Sequence, residues 1–100
     1  MAFDMYIGKE HESINDQDEY LLSMIHDAES EYPQLAKIAE NFYGDVRFVS
    51  AEADALVHEL LKLNSSNAQS NTAMKLLVLK LASFFSLAVQ TKQDVVCSGD

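Results

Sequence analysis

Few residues in this chain are equipped to do chemistry: three histidines, His11, His26 and His58, one cysteine, Cys97, and four tyrosines, set among sixteen carboxylates. Metal binding is the first chemistry to test. His58-Glu59 opens like the zinc-protease pattern H-E-x-x-H, but Lys62 stands where the second histidine belongs and cannot complete a site. Di-metal helical proteins use Glu-x-x-His, and the residues three before His26 and His58 are Ser23 and Ala55. The expectation is therefore no metal centre, and no cofactor motif is present either.

The stretch Lys9-Glu10-His11-Glu12-Ser13 sets a histidine between two carboxylates, which would suit a general base or a cation site. A solvated loop carries the same residues without any function. Nothing in the sequence adds a nucleophile with an orienting partner or a glycine loop to cradle phosphate. Cys97 reads as part of a frayed tail with no basic neighbour to activate its thiol. The chain does not read as an enzyme.

The elements that would position these residues are mostly helical. Ala73 to Lys92 is the dominant segment: at 100° per residue, Met74, Leu77, Val78, Leu81, Ala82, Phe84, Phe85, Ala88 and Val89 share one arc that has to be buried. Lys75 and Lys80 mark its outer side. Leu76, Leu79 and Leu87 lie on that thin polar side, where a second copy of the chain could pack. Two lysines within the segment, each costing about 3 kcal/mol near a bilayer centre, argue against a membrane span.

Three smaller helices are expected around that one. Asp16 and Glu19 have capping-box spacing ahead of Tyr20, Leu21, Met24, Ile25 and Ala28. Pro33 is suited to a first helical position and is followed by Leu35, Ile38, Ala39 and Phe42, with Gly44 as the left-handed stop. Ser50 is placed to cap a third helix with Ala53, Leu56, Val57, Leu60 and Leu63 inside and Asn64 at its end. The run 64–71, NSSNAQSN, reads as a linker. Phe3, Met5 and Ile7 alternate with Asp4 and Tyr6 as in a short strand, Lys9 to Asn15 reads as a polar loop, and Val46 to Val49 and Asp94 to Cys97 have strand character. The fold expected is mainly α: one domain over 1–100, a four-helix, bundle-like unit around the C-terminal hydrophobic helix, with room for a small terminal β-ribbon.

A hydrophobic share of 48% with three glycines and one proline is that of a folded chain rather than a disordered one. The net charge is -9, and nine carboxylates against the single cation Lys9 lie between Asp4 and Glu31. Such a pole repels phosphate backbones and attracts basic protein surfaces, so a basic protein partner is expected and nucleic acid is not. Part of the acidity has a structural reason, since Asp16, Asp18 and Glu19 suit the positive end of a helix dipole. A lone cysteine and the lack of a secretory signal point to the cytoplasm.

Partner contacts are assigned to the acidic half: Asp16, Asp18, Glu19, Asp27, Glu29, Glu31 and Tyr32. Among the tyrosines, Tyr6, Tyr20, Tyr32 and Tyr43 each fall at the edge of an expected element, where an aromatic ring can anchor a contact. In size, acidity and helical content the whole chain resembles, in general character, the small immunity proteins with which bacteria neutralise their own toxins; no motif carries that resemblance, and no residue role follows from it. The alternative reading is a self-associating helical domain, a homodimer through Leu76, Leu79 and Leu87 rather than a monomer.

Overall fold

The computed structural model describes residues 2–15, 31–66 and 72–99. Within them lie strand β1 (Ala2–Ile7), strand β2 (Glu10–Asn15), helix α1 (Pro33–Glu40), strand β3 (Asp45–Phe48), helix α2 (Ser50–Ser66), helix α3 (Thr72–Thr91) and strand β4 (Val95–Gly99). The strands form one antiparallel sheet in the order β2-β1-β4-β3. The protein is therefore α+β and not an all-α, four-helix bundle. The expected helix beginning at Asp16 lies outside the described residues, as does most of the expected linker.

The correction begins at the segment read as a polar loop. Glu10–Asn15 is strand β2, joined to β1 by the two-residue turn Gly8-Lys9, with Ile7 opposite Glu10 and Phe3 opposite Ile14. Gly8 has φ +57, which a glycine at the first position of a tight hairpin turn supplies without strain. As an edge strand β2 needs little apolar material, and Ile14 alone is buried. The expected terminal ribbon is in fact a full layer, with β4 inserted between β1 and β3 so that neither central strand depends on a local neighbour alone.

Alternation decides which face is covered. Phe3, Met5, Ile7, Ile14, Phe48, Val95 and Cys97 are buried on the helix side, where Phe48 meets Phe85 edge-on at 5.7 Å and Phe3 stacks on Phe42 at 5.6 Å. Helix α3 packs along α2. It buries Leu77, Val78, Leu81, Ala82, Phe84, Phe85 and Ala88, most of the arc expected from its sequence. Lys80, expected to mark the outer side, is tied down: its Nζ donates to the Ser13 carbonyl at 3.1 Å and lies 3.5 Å from the Glu12 carboxylate, strapping α3 to β2.

Helix ends also differ from expectation. Gly44 is not left-handed; α1 ends at Asn41, whose side-chain amide donates to the Lys37 carbonyl at 2.8 Å. Val49, not Ser50, holds the cap position before α2, with Glu52 reaching back to its N–H at 3.0 Å in half of a capping box. Helix α2 continues past Asn64 to Ser66. At the end of α3 the N–H of Gln93 bonds to Ala88 and that of Lys92 to Val89, a Schellman arrangement whose left-handed position is filled by Lys92 at φ 55.

Candidate interaction surface

The side of the sheet away from the helices carries the outward residues of all four strands. Register sets His11 opposite Tyr6, Tyr6 opposite Val96, and Val96 opposite Arg47, one residue from each strand in a single row. The next row is Ser13, Asp4, Ser98 and Asp45. At the centre, Tyr6 is 43% and Val96 45% exposed, an aromatic ring and a β-branched side chain left open side by side. Residues opposite each other on one face of an antiparallel pair are within side-chain contact range, so this is one continuous patch.

Charge borders the apolar centre on both sides. His11 Nε2 lies 3.0 Å from Asp4 Oδ1, and its ring rests 4.8 Å from that of Tyr6. The carboxylate that meets His11 is thus Asp4 on the neighbouring strand. Glu10 and Glu12, its sequence neighbours, point to the other face because strand side chains alternate. Arg47 is held by Asp94 at 3.1 Å. A shallow groove follows β3 and β4, lined by Asp45, Val46, Arg47, Val96, Cys97 and Ser98.

Of the remaining chemistry-bearing residues, Tyr20 and His26 lie outside the described residues. Glu59, the second residue of the truncated zinc-like pattern, is buried, and its carboxylate accepts the N–H groups of Gln34 and Leu35 at the start of α1. His58 is exposed and 3.7 Å from Asp54, one turn earlier. Among the described residues no group of three or more His, Cys, Asp or Glu side chains is placed to hold a metal ion. Cys97, expected in a frayed tail, sits inside the sheet, where burial pushes its thiol up to about 12 and suppresses the thiolate.

Of the residues assigned to partner contacts, Asp16, Asp18, Glu19, Asp27 and Glu29 lie outside the described residues. Glu31 is exposed. Tyr32 is buried in the core with Lys62 Nζ 5.4 Å from its ring centre, so its aromatic surface is used internally. Tyr43 is 57% exposed and meets Phe42 edge-on. On α3, Leu76 and Leu79 are 62% and 50% exposed, whereas Leu87 is partly buried against the core. Arg47, Val96 and Asp4 were missed by reading the sequence. Each is an outward residue of a strand; alternation gives that direction, but only the register brings Arg47 and Val96 beside Tyr6.

The described residues define a two-layer α+β protein with one sheet face covered by no described helix. No family model matches the chain, and no solved structure matches it. The chain is similar to the chloroplastic serine acetyltransferase 1 of Arabidopsis thaliana, with 29% identity over 87 residues, covering 86% of this chain and 28% of that protein. It thus spans less than a third of the length of the curated relative it matches. No helix among the described residues is long and apolar enough to cross a membrane.

Proposed function

We propose that this chain acts by binding a basic protein, as an immunity-type or inhibitor module, and that the open sheet face is where the partner docks. The observation that carries this reading is the exposed Tyr6–Val96 pair, framed by His11 and Arg47 and covered by no described helix. Tyrosine and arginine are the residue types enriched at interface centres, and an apolar core with a polar rim is the usual anatomy of a contact patch. The acidic first third of the chain supplies the long-range field that steers a basic partner, while the sheet face supplies the contacts that hold it. A lone, buried cysteine suits a reducing compartment, which supports a cytoplasmic site of action.

The likeness to immunity proteins now rests on size and acidity alone, since the helical bundle that contributed to it is replaced by an α+β fold. The serine acetyltransferase likeness lends no activity, because it reaches 28% of that protein at 29% identity.

The test is calorimetric titration of the purified chain, at low and high salt, against any basic protein found to be encoded beside its gene. Binding that weakens with salt, and falls at least tenfold on Tyr6→Ala, supports the proposal. No association at low salt, or association indifferent to Tyr6→Ala, removes it. A second reading, self-association through α3, is favoured by the exposure of Leu76 and Leu79. It requires a dimer in solution that Leu79→Glu dissociates.

A further inference from the structure

Two edges of the sheet are open to pairing among the described strands, β2 and β3, and they differ in what a second copy would meet there. The backbone of β3 has a defined polarity. Gly99 N–H donates to the Gly44 carbonyl at 2.6 Å, one step beyond the Asp45–Ser98 pair, so Gly44 faces β4. Antiparallel strands alternate, which turns the N–H and C=O of Val46 toward β4 and those of Asp45 and Arg47 toward the free edge. The side chains of Asp45 and Arg47 both stand on the open face and are exposed. A strand edge of this kind presents unpaired donors and acceptors to any strand that can match them.

We propose that a second copy of this chain adds to that edge, β3 against β3, antiparallel and centred on Val46. In that register a two-fold axis passes between the two Val46 residues. Asp45 of each copy then lies directly opposite Arg47 of the other, in the position where antiparallel residues exchange both backbone hydrogen bonds. Four backbone bonds and two opposite-charge cross-strand pairs result, and the two four-stranded sheets become one of eight strands. The edge is self-complementary because its two charges have opposite sign and are two residues apart about a neutral centre. The guanidinium of Arg47 keeps donors for Asp94 while engaging the new carboxylate, since it has five N–H groups.

The other edge fails the same test. Centring β2 on Glu12 would oppose Glu12 to its own copy, and Lys80 already holds that strand from the helix side. Like charges directly opposite repel, so β2 is protected where β3 is receptive.

Sedimentation analysis of the full chain between about 10 μM and 1 mM tests the proposal, since a four-residue strand edge makes a small interface and a weak dimer. Dimer formation that rises with concentration and falls with salt is expected. Asp45→Arg and Arg47→Asp, each alone, place like charges opposite and should leave monomer. An equimolar mixture of the two variants should recover dimer, because each then meets the opposite charge on the other. Both positions are exposed, and circular dichroism checks that each variant is folded. A wild-type chain monomeric throughout this range overturns the proposal, as does a dimer unaffected by either reversal or a mixture that stays monomeric. A dimer broken by Leu79→Glu but not by the reversals assigns association to α3 and also overturns it.

Discussion

The carboxylate of Glu59 lies 3.0 Å from the backbone N–H of Leu35, although the two belong to different helices and are 24 residues apart. The same side chain takes the Gln34 N–H at 2.9 Å, Pro33 has no N–H to satisfy, and Ala36 bonds to Tyr32. The first turn of α1 is thus capped from α2, with a negative charge at the positive end of an eight-residue helix too short to be stable alone. Glu59→Ala leaves buried donors without partners and should cost about 2 kcal/mol in denaturant unfolding. Glu59→Gln keeps an acceptor oxygen and should cost about half as much. Equal losses would show that packing, not capping, is what Glu59 provides.

Glu52 links the same two helices from the other side. Its bond to Lys37 at 2.6 Å and the Val49 N–H hold its carboxyl below the ordinary 4.5 against the opposing effect of burial, with the charge of Lys37 adding least. A depressed carboxyl contributes stability that is fully present above its unfolded value and is lost as pH falls through the lower folded value. Wild type and Glu52→Gln should therefore differ in unfolding free energy at neutral pH and converge at pH values well below 4.5. A constant difference down the acid limb would contradict this.

Lys92 occupies a left-handed position that a glycine takes without steric penalty. Replacing it by glycine removes that penalty and adds some unfolded-state entropy, for a net gain of about 0.5–1 kcal/mol. A measurable loss of stability would mean that the lysine side chain does more than fill the cap.

Gly99 admits no side chain. A Cβ there would stand 2.0 Å from the Phe42 carbonyl oxygen and 2.9 Å from Gly44 N, both backbone atoms that cannot yield cheaply. Gly99→Ala should cost about 2 kcal/mol or more. It should also speed amide exchange at the β3–β4 end nearest Gly44, and unchanged exchange there would argue against the clash.

Cys97 should be inert in the folded chain. A rise from 9.0 to about 12 lowers the thiolate fraction about a thousandfold. Alkylation near pH 8 should be at least that much slower than in denaturant, since burial also blocks the reagent. Fast native labelling would indicate that β4 opens readily.

Much of the helical content is legible from residues alone. Pro33, the 3.6-residue spacing of Leu35 and Ile38, and the broad arc from Leu77 to Ala88 each specify a helix and its buried face locally. Strand β1 is equally plain in the alternation of Phe3, Met5 and Ile7. What stays hidden is the sheet as a layer, for physical reasons. Strand β2 is an edge with one apolar residue, so it reads as a loop, and only the Gly8-Lys9 pair hints at a turn. Strands β3 and β4 are four and five residues long, and their pairing is non-local. The candidate surface shares that fate: the outward direction of Tyr6 follows from alternation, but its neighbours Val96 and Arg47 depend on a register that joins residues 90 and 49 positions apart.

That same strand order governs how the molecule assembles in time. The middle of the sheet is made by β1 and β4, so its closure joins segments separated by about ninety residues, and the entropy of that long loop must be met before the pairing returns anything. During synthesis the β1–β2 hairpin can form early, but α1 must wait for its cap from Glu59, and β1 and β3 each lack a central neighbour until residues 95–99 have left the ribosome. Folding should therefore be one late, cooperative event, slower than for a helical bundle of equal length. A ribosome-bound chain cut before Val95 should expose Phe3, Met5 and Phe48 together.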